Sequence, residues 1–234
     1  MSLFAIGDLH LSLGCDKPMD VFRGWDNYVD RLYNNWNYLV RDGDTVVIAG
    51  DVSWGMTLNQ AYEDFKFIHN DLNGKKIIIK GNHDYWWSTV AKMNRFLAEK
   101  NFDSIRILSN NSYLISGKGF NGVSVCGSRG WINDTGIEFD KKILVREAGR
   151  LKMSIDDGIK QGGEIIVFLH YPPIYADEKN YCILDVLQKY NIRRCYYGHI
   201  HGAAERKAFV GESCGVEFYL VSSDLVEFTP QLVR

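Results

Sequence analysis

Apolar residues recur along this chain with two different spacings. Short continuous runs read as strands buried on both faces: Leu3-Phe4-Ala5-Ile6, Thr45 to Ala49, Ile77 to Lys80 and Glu164 to Leu169. Between them, apolar residues return at three- and four-residue steps. Phe22, Trp25, Val29, Leu32, Trp36 and Leu39 predict one long amphipathic helix. Leu58, Ala61, Tyr62, Phe65, Ile68 and Leu72 predict a second, with Thr57 as its N-cap. Further helices are expected from Ser88 to about Asn101, over 138–161 up to the stop at Gly162-Gly163, and from Tyr181 to Tyr190.

Strand–helix–strand alternation at the start of the chain implies a parallel sheet covered by helices. The pattern then changes. Ile105–Leu108, Tyr113–Ser116 and Val123–Gly127 are joined by turns such as Asn110-Asn111 and Gly117-Lys118-Gly119, which predicts a meander and with it a second sheet or an antiparallel extension. A strand at Arg194–Tyr197 follows, and runs near 207–210, 216–222 and 225–228 predict an antiparallel tail. No Pro/Ser-rich linker, repeat or charge run divides the chain, so one domain over 1–234 is expected.

Polar residues of one kind gather where the strands end. The first run closes on Asp8 and His10, the second on Gly50-Asp51, the third on Gly81-Asn82-His83-Asp84. The strand at 164–169 ends on His170, and the strand at 194–197 runs into Gly198-His199-Ile200-His201. Five of the six histidines lie at these ends; His69 stands apart on a helix. If the chain stays extended, Asp8 and His10 point to the same side. Gly81 is expected to give the backbone room to turn. Mixed imidazole, carboxylate and amide donors suit Mn, Fe, Zn or Co better than calcium. In open α/β sheets that edge is where ligands bind.

The ordered set D-x-H, G-D, G-N-H-D, H, G-H-x-H resembles the calcineurin-like metallophosphoesterase superfamily, from Asp8 to His201. The resemblance implies a four-layer αββα sandwich, an α/β fold with α+β character in which two mixed sheets pack face to face between flanking helices. It implies two divalent ions. Asp8, His10, Asp51 and His201 would bind one, and Asp51, Asn82, His170 and His199 the other, with Asp51 shared. It implies His83 as general acid, Asp84 as the group that orients its ring, and hydrolysis of an organic phosphate mono- or diester by a hydroxide held between the ions. The alternatives are a cyclic-nucleotide-type diesterase and a silent scaffold of the same fold.

Composition narrows the partners. Formal net charge is −2 with Lys and Arg scattered, which recruits neither nucleic acid nor anionic lipid. No apolar run approaches a membrane span, and the N-terminus shows no basic leader, so a cytoplasmic protein with a small-molecule substrate is expected. Five cysteines without C-x-x-C spacing fit a reducing compartment. Oligomeric state is not encoded in any recognisable pattern. Trp54, Tyr85, Trp86, Trp87, Trp131, Tyr171 and Tyr175 all follow a strand-end motif, either as loop packing or as an aromatic rim over a leaving group. Arg129, between glycines, is a candidate phosphate clamp, with Trp131 and Tyr85 as candidate substrate contacts.

Overall fold

The computed structural model describes residues 1–117, 120–132 and 138–234. The expected turn at Gly117-Lys118-Gly119 therefore falls partly outside the described residues. The chain forms two compact units, Met1–Ile107 with Val221–Arg234, and Leu108–Leu220. Each is built on one mixed sheet with helices, and the fold is mixed α/β.

In the first unit, β1 (Leu3–Ile6), β2 (Thr45–Ile48), β3 (Lys75–Ile78) and β4 (Ile105–Ile107) pair in parallel in that order. A short C-terminal strand, Gln231–Leu232, adds antiparallel to β1. The helices α1 (Tyr28–Leu39), α2 (Tyr62–Asn70) and α3 (Val90–Glu99) supply the crossovers. Trp36, Leu32, Phe65, Ile68 and Ile48 are among the fully buried residues of one core.

Two helices start later than their periodicity suggests. Residues before α1 form successive turns, and Asn27 at its N-cap has a left-handed backbone (φ 50°), which ends any helix reaching back to Phe22. Trp25 is still buried, whereas Phe22 is 54% exposed. Thr57 caps a turn rather than a helix: its Oγ1 accepts from the Gln60 N–H at 3.3 Å, and α2 begins five residues on. For α3 the cap is Thr89, whose side chain accepts from the Lys92 N–H.

The second unit holds β5 (Tyr113–Gly117), β6 (Phe120–Ser128), α4 (Glu138–Gln161), β7 (Glu164–Leu169), β8 (Ile174–Tyr175), β9 (Glu178–Lys179), α5 (Tyr181–Lys189), β10 (Arg194–Tyr197), β11 (Gly211–Ser213) and β12 (Val216–Leu220). Its six-stranded sheet runs β11-β12-β10-β7-β6-β5, and β8 and β9 make a separate hairpin. Leu151, Ile155, Phe218, Val167 and Ile183 belong to its core.

Two sequence expectations are corrected here. The runs at 105–128 are not one meander: β4 pairs with β3, while β5 and β6 form an antiparallel hairpin in the expected second sheet. The tail is not simply antiparallel either. β12 pairs in parallel with β10, the strand expected at 207–210 lies at 211–213, and 225–228 is turn. Apolar spacing identifies a strand but carries no information on which neighbour accepts its hydrogen bonds.

Candidate functional site

In the first unit the loops after β1 and β2 run side by side. The Asp8 N–H donates to Gly50 O (2.9 Å), His10 N–H to Asp51 O (2.9 Å) and Leu11 N–H to Val52 O (3.0 Å). These bonds place Asp8, His10 and Asp51 at one sheet edge, where the His10 Nε2 lies 3.7 Å from Asp51 Oδ2. All three side chains are buried. Asp8 and His10 are not related by strand alternation, because both have left-handed backbones (φ 59° and 46°), as does Asp51 (φ 50°). Such conformations cost roughly 1–3 kcal/mol each in a non-glycine residue and persist only where surroundings enforce them.

Two buried carboxylates fasten the loops that carry these residues. Asp84 accepts from the N–H groups of Asp51 (3.0 Å), Val52 (2.8 Å) and Gly81 (2.7 Å) and from the Trp86 indole (3.0 Å). It thereby fastens the G-N-H-D loop to the loop after β2. Asp64, on α2, accepts from the Leu13 N–H (2.7 Å) and from the Ser53 hydroxyl, so it ties the two ligand-bearing loops to each other. Burial pushes the Asp64 carboxyl up to about 6, with the bonds from Ser53 and Leu13 pulling the other way. Asp64 was missed in the sequence reading. The signal was its position: it follows Ala61 by three residues and precedes Ile68 by four, an acid on the apolar face of its helix.

Gly81 is required by close approach rather than by turning. A Cβ there would stand 2.0 Å from Asp51 Oδ1 and 2.2 Å from Asp51 N. The His83 N–H donates to the same Oδ1 at 2.7 Å, so the tetrapeptide is packed directly against Asp51. The His83 ring lies 5.7 Å from that of His10 and 4.5 Å from that of Trp54, and Tyr85, 52% exposed, stands 6.0 Å away. His69, by contrast, bonds Ser104 Oγ at 2.7 Å.

In the second unit His170 ends β7, and His199 and His201 follow β10. The His170 and His199 rings are 5.0 Å apart, and Tyr171 packs on His199 at 4.3 Å. His199 too is left-handed (φ 73°). Arg129 O accepts from the N–H groups of His170 and Tyr171. Its guanidinium lies 4.7 Å from the Trp131 ring and 6.0 Å from that of Tyr171. Burial lowers the pKa of Arg129 and the Glu147 charge opposes this; its buried Nε has no hydrogen-bond acceptor among the described residues. Trp131 O accepts from Asn180 Nδ2 at 2.8 Å.

The donor chemistry fits a divalent cation. Among the described residues, Asp8, His10, Asp51, His170, His199 and His201 are histidine and aspartate side chains whose ligand atoms fall in groups able to hold one. A buried carboxylate is costly unless paired or bound to a metal, and Asp8 and Asp51 are both buried.

An α/β protein with histidines and carboxylates at its strand ends has the parts of a metal-dependent hydrolase. The family model described as calcineurin-like phosphoesterase matches residues 1–203, and the chain belongs to that family. It is 29% identical over 124 residues to the uncharacterized protein MJ1445 of Methanocaldococcus jannaschii, covering 49% of this chain and 67% of that one. Two solved structures share the fold at low identity. TT1561 of Thermus thermophilus superimposes with a TM-score of 0.54 at 12% identity, covering 98% of this chain and 96% of its own. The protein of unknown function AQ665 from Aquifex aeolicus gives 0.51 at 16%, covering 99% and 95%. Family and donor set together support a metal-dependent phosphoesterase. No helix among the described residues is long and apolar enough to cross a membrane.

Proposed function

We propose that the protein hydrolyses a small organic phosphate mono- or diester in the cytoplasm, with residues 1–234 acting as one catalytic domain around two divalent ions. Asp8, His10 and His201 would hold one ion and Asp51, His170 and His199 the other, with Asp51 shared and Asn82 completing the second set. The observation that carries this reading is the family match over a span containing every one of these residues. Mn, Fe, Zn or Co suit such donors. Bound there, the ions would neutralise the phosphate's charge and acidify a water.

The protein's own groups do the rest. His83 would give its proton to the departing oxygen, since an imidazole titrates near neutral pH. Asp84 would support the protonated ring, in addition to holding the loop that carries it. Arg129 would take a phosphate oxygen, with Trp131 and Tyr85 against the organic group.

The test is kinetic. Chelator-treated protein should lose hydrolysis of bis-p-nitrophenyl phosphate and regain it with Mn²⁺. His83→Ala should lose about 10²- to 10⁴-fold on an alkyl phosphate and far less on the p-nitrophenyl ester, whose leaving group needs no proton. Unchanged metal content would accompany the loss. Full turnover of the alkyl ester by His83→Ala with metal bound would overturn the assignment; no hydrolysis with any divalent ion would leave a binding scaffold.

A further inference from the structure

The rings around His83 bear on the part of the substrate that the phosphoesterase reading leaves open. Trp54 is half-buried, three residues beyond Asp51, and makes two contacts with the candidate machinery. It stacks on His10 with centroids 5.0 Å apart and planes 26° from parallel, and it lies 4.5 Å from the His83 ring. Its indole N–H points away, toward Met19 Sδ at 3.2 Å, so the apolar body of the ring faces the histidines. The exposed Tyr85 also meets His83, edge-on, with its hydroxyl 3.4 Å from Nδ1. The exposed Lys17 ammonium lies 5.7 Å from the Trp54 centroid, a solvated contact that a ligand could displace.

A general acid must approach the leaving-group oxygen to within hydrogen-bond distance. Whatever that oxygen carries then lies beside His83, within reach of Trp54 and Tyr85. Two rings that differ in tilt and exposure make poor packing for a flexible polar alcohol. They match a flat ring, which gains offset-stacked or edge-to-face contacts at little conformational cost. Nothing in this arrangement demands a second phosphate, nor does the chain's charge favour a polyanion.

We infer that Trp54, with Tyr85, forms a leaving-group subsite and that the substrate is a phosphate ester whose leaving group carries a planar aromatic ring. This rests on His83 being the proton donor. Trp54 is the specificity-determining residue in this assignment, and its stacking on His10 couples the subsite to the ligand cluster.

Two esters of matched size and leaving-group basicity separate shape from hydrophobicity: 2-phenylethyl phosphate and 2-cyclohexylethyl phosphate. With Mn²⁺-loaded full-length protein, kcat/KM should favour the phenyl ester by about tenfold, mostly through KM. Trp54→Ala should bring that ratio to about one, and Trp54→Phe should retain most of it. Trp54→Phe, a flat replacement of the ring, and the wild-type ratio itself decide the matter if Trp54→Ala fails to fold. Equal kcat/KM values in the wild type, or an unchanged ratio in Trp54→Ala, would overturn the subsite while leaving the esterase reading intact. Hydrolysis of neither ester would count against the esterase reading; the subsite is then judged by calorimetry with 2-phenylethylphosphonate and 2-cyclohexylethylphosphonate. Tighter binding of the phenyl compound would support it, and equal affinities would end it.

Discussion

At the scale of single residues, the site is held by carboxylates that do not belong to the candidate ligand set. Asp8, His10 and Asp51 adopt backbone conformations that few side chains tolerate; Asp84 accepts from the Asp51 N–H, and Asp64 ties the loops that follow through Leu13 and Ser53. Asp64 has a measurable consequence. Its carboxyl titrates at about 6 in the folded chain against 3.8 as an ordinary aspartate. Between those values the folded state keeps a proton that the unfolded state has released, so this group's contribution falls as pH rises from about 4 to 6. The penalty is then fully present at pH 7. Asp64→Asn removes the titration. Measured by urea melts, the wild type should gain roughly 2–3 kcal/mol relative to Asp64→Asn on going from pH 7 to pH 4. A pH-independent difference would mean that the group is not buried as described. The presence of the metal-capable residues was legible in the sequence, because histidine, aspartate and asparagine at strand ends have few other uses. Asp64 was not, since a helical acid is ordinarily solvated and only its neighbours' burial reveals otherwise.

At the scale of elements, the sheets are covered by helices that approach closely enough to exclude side chains. Gly158 sits within α4, where alanine would ordinarily be better by about 1 kcal/mol. A Cβ at this position, however, would stand 2.5 Å from the buried Cys126 Sγ and 3.3 Å from Ser124 Cβ on β6. Gly158→Ala should therefore lower stability by about 1–3 kcal/mol despite its better propensity. Cys126→Ala removes the overlapping sulfur. The double variant should accordingly be more stable than the sum of the two single changes, a coupling readable in a denaturation cycle. Simple additivity would show that helix and sheet lie further apart. Helix and strand identity followed from periodicity along most of the chain. The starts of α1 and α2 did not, because Asn27 and Thr57 redirect the backbone locally while the apolar spacing runs on past them.

At the scale of the whole molecule, the five cysteines are all free thiols that differ in burial. Cys126 and Cys195 are buried, and burial pushes the Cys126 thiol up to about 12 and raises that of Cys195. Cys15 and Cys182 are half-buried and Cys214 is exposed. A thiol reagent should modify Cys214 first in the native protein and reach all five only in denaturant, without prior reduction. Mass spectrometry of the labelled peptides gives the order; early modification of Cys126 or Cys195 would contradict the packing of the second unit.

The sequence by itself determined which residue types stand at the strand ends, because alternation of apolar runs and helices locates those ends and side-chain chemistry limits what such clusters can do. It also determined the family, through the order and spacing of five motifs. The tertiary structure alone decided how β4 to β6 divide between sheets and which strands run parallel, since hydrogen-bond partners are chosen across space. It alone decided why residue 81 is glycine, because the reason is an approach by Asp51, thirty positions away in sequence and in contact in the fold. The pairing of Trp54 with His10 and His83 belongs to the same class: the three residues lie on three separate loops, and only the folded chain shows that their rings meet.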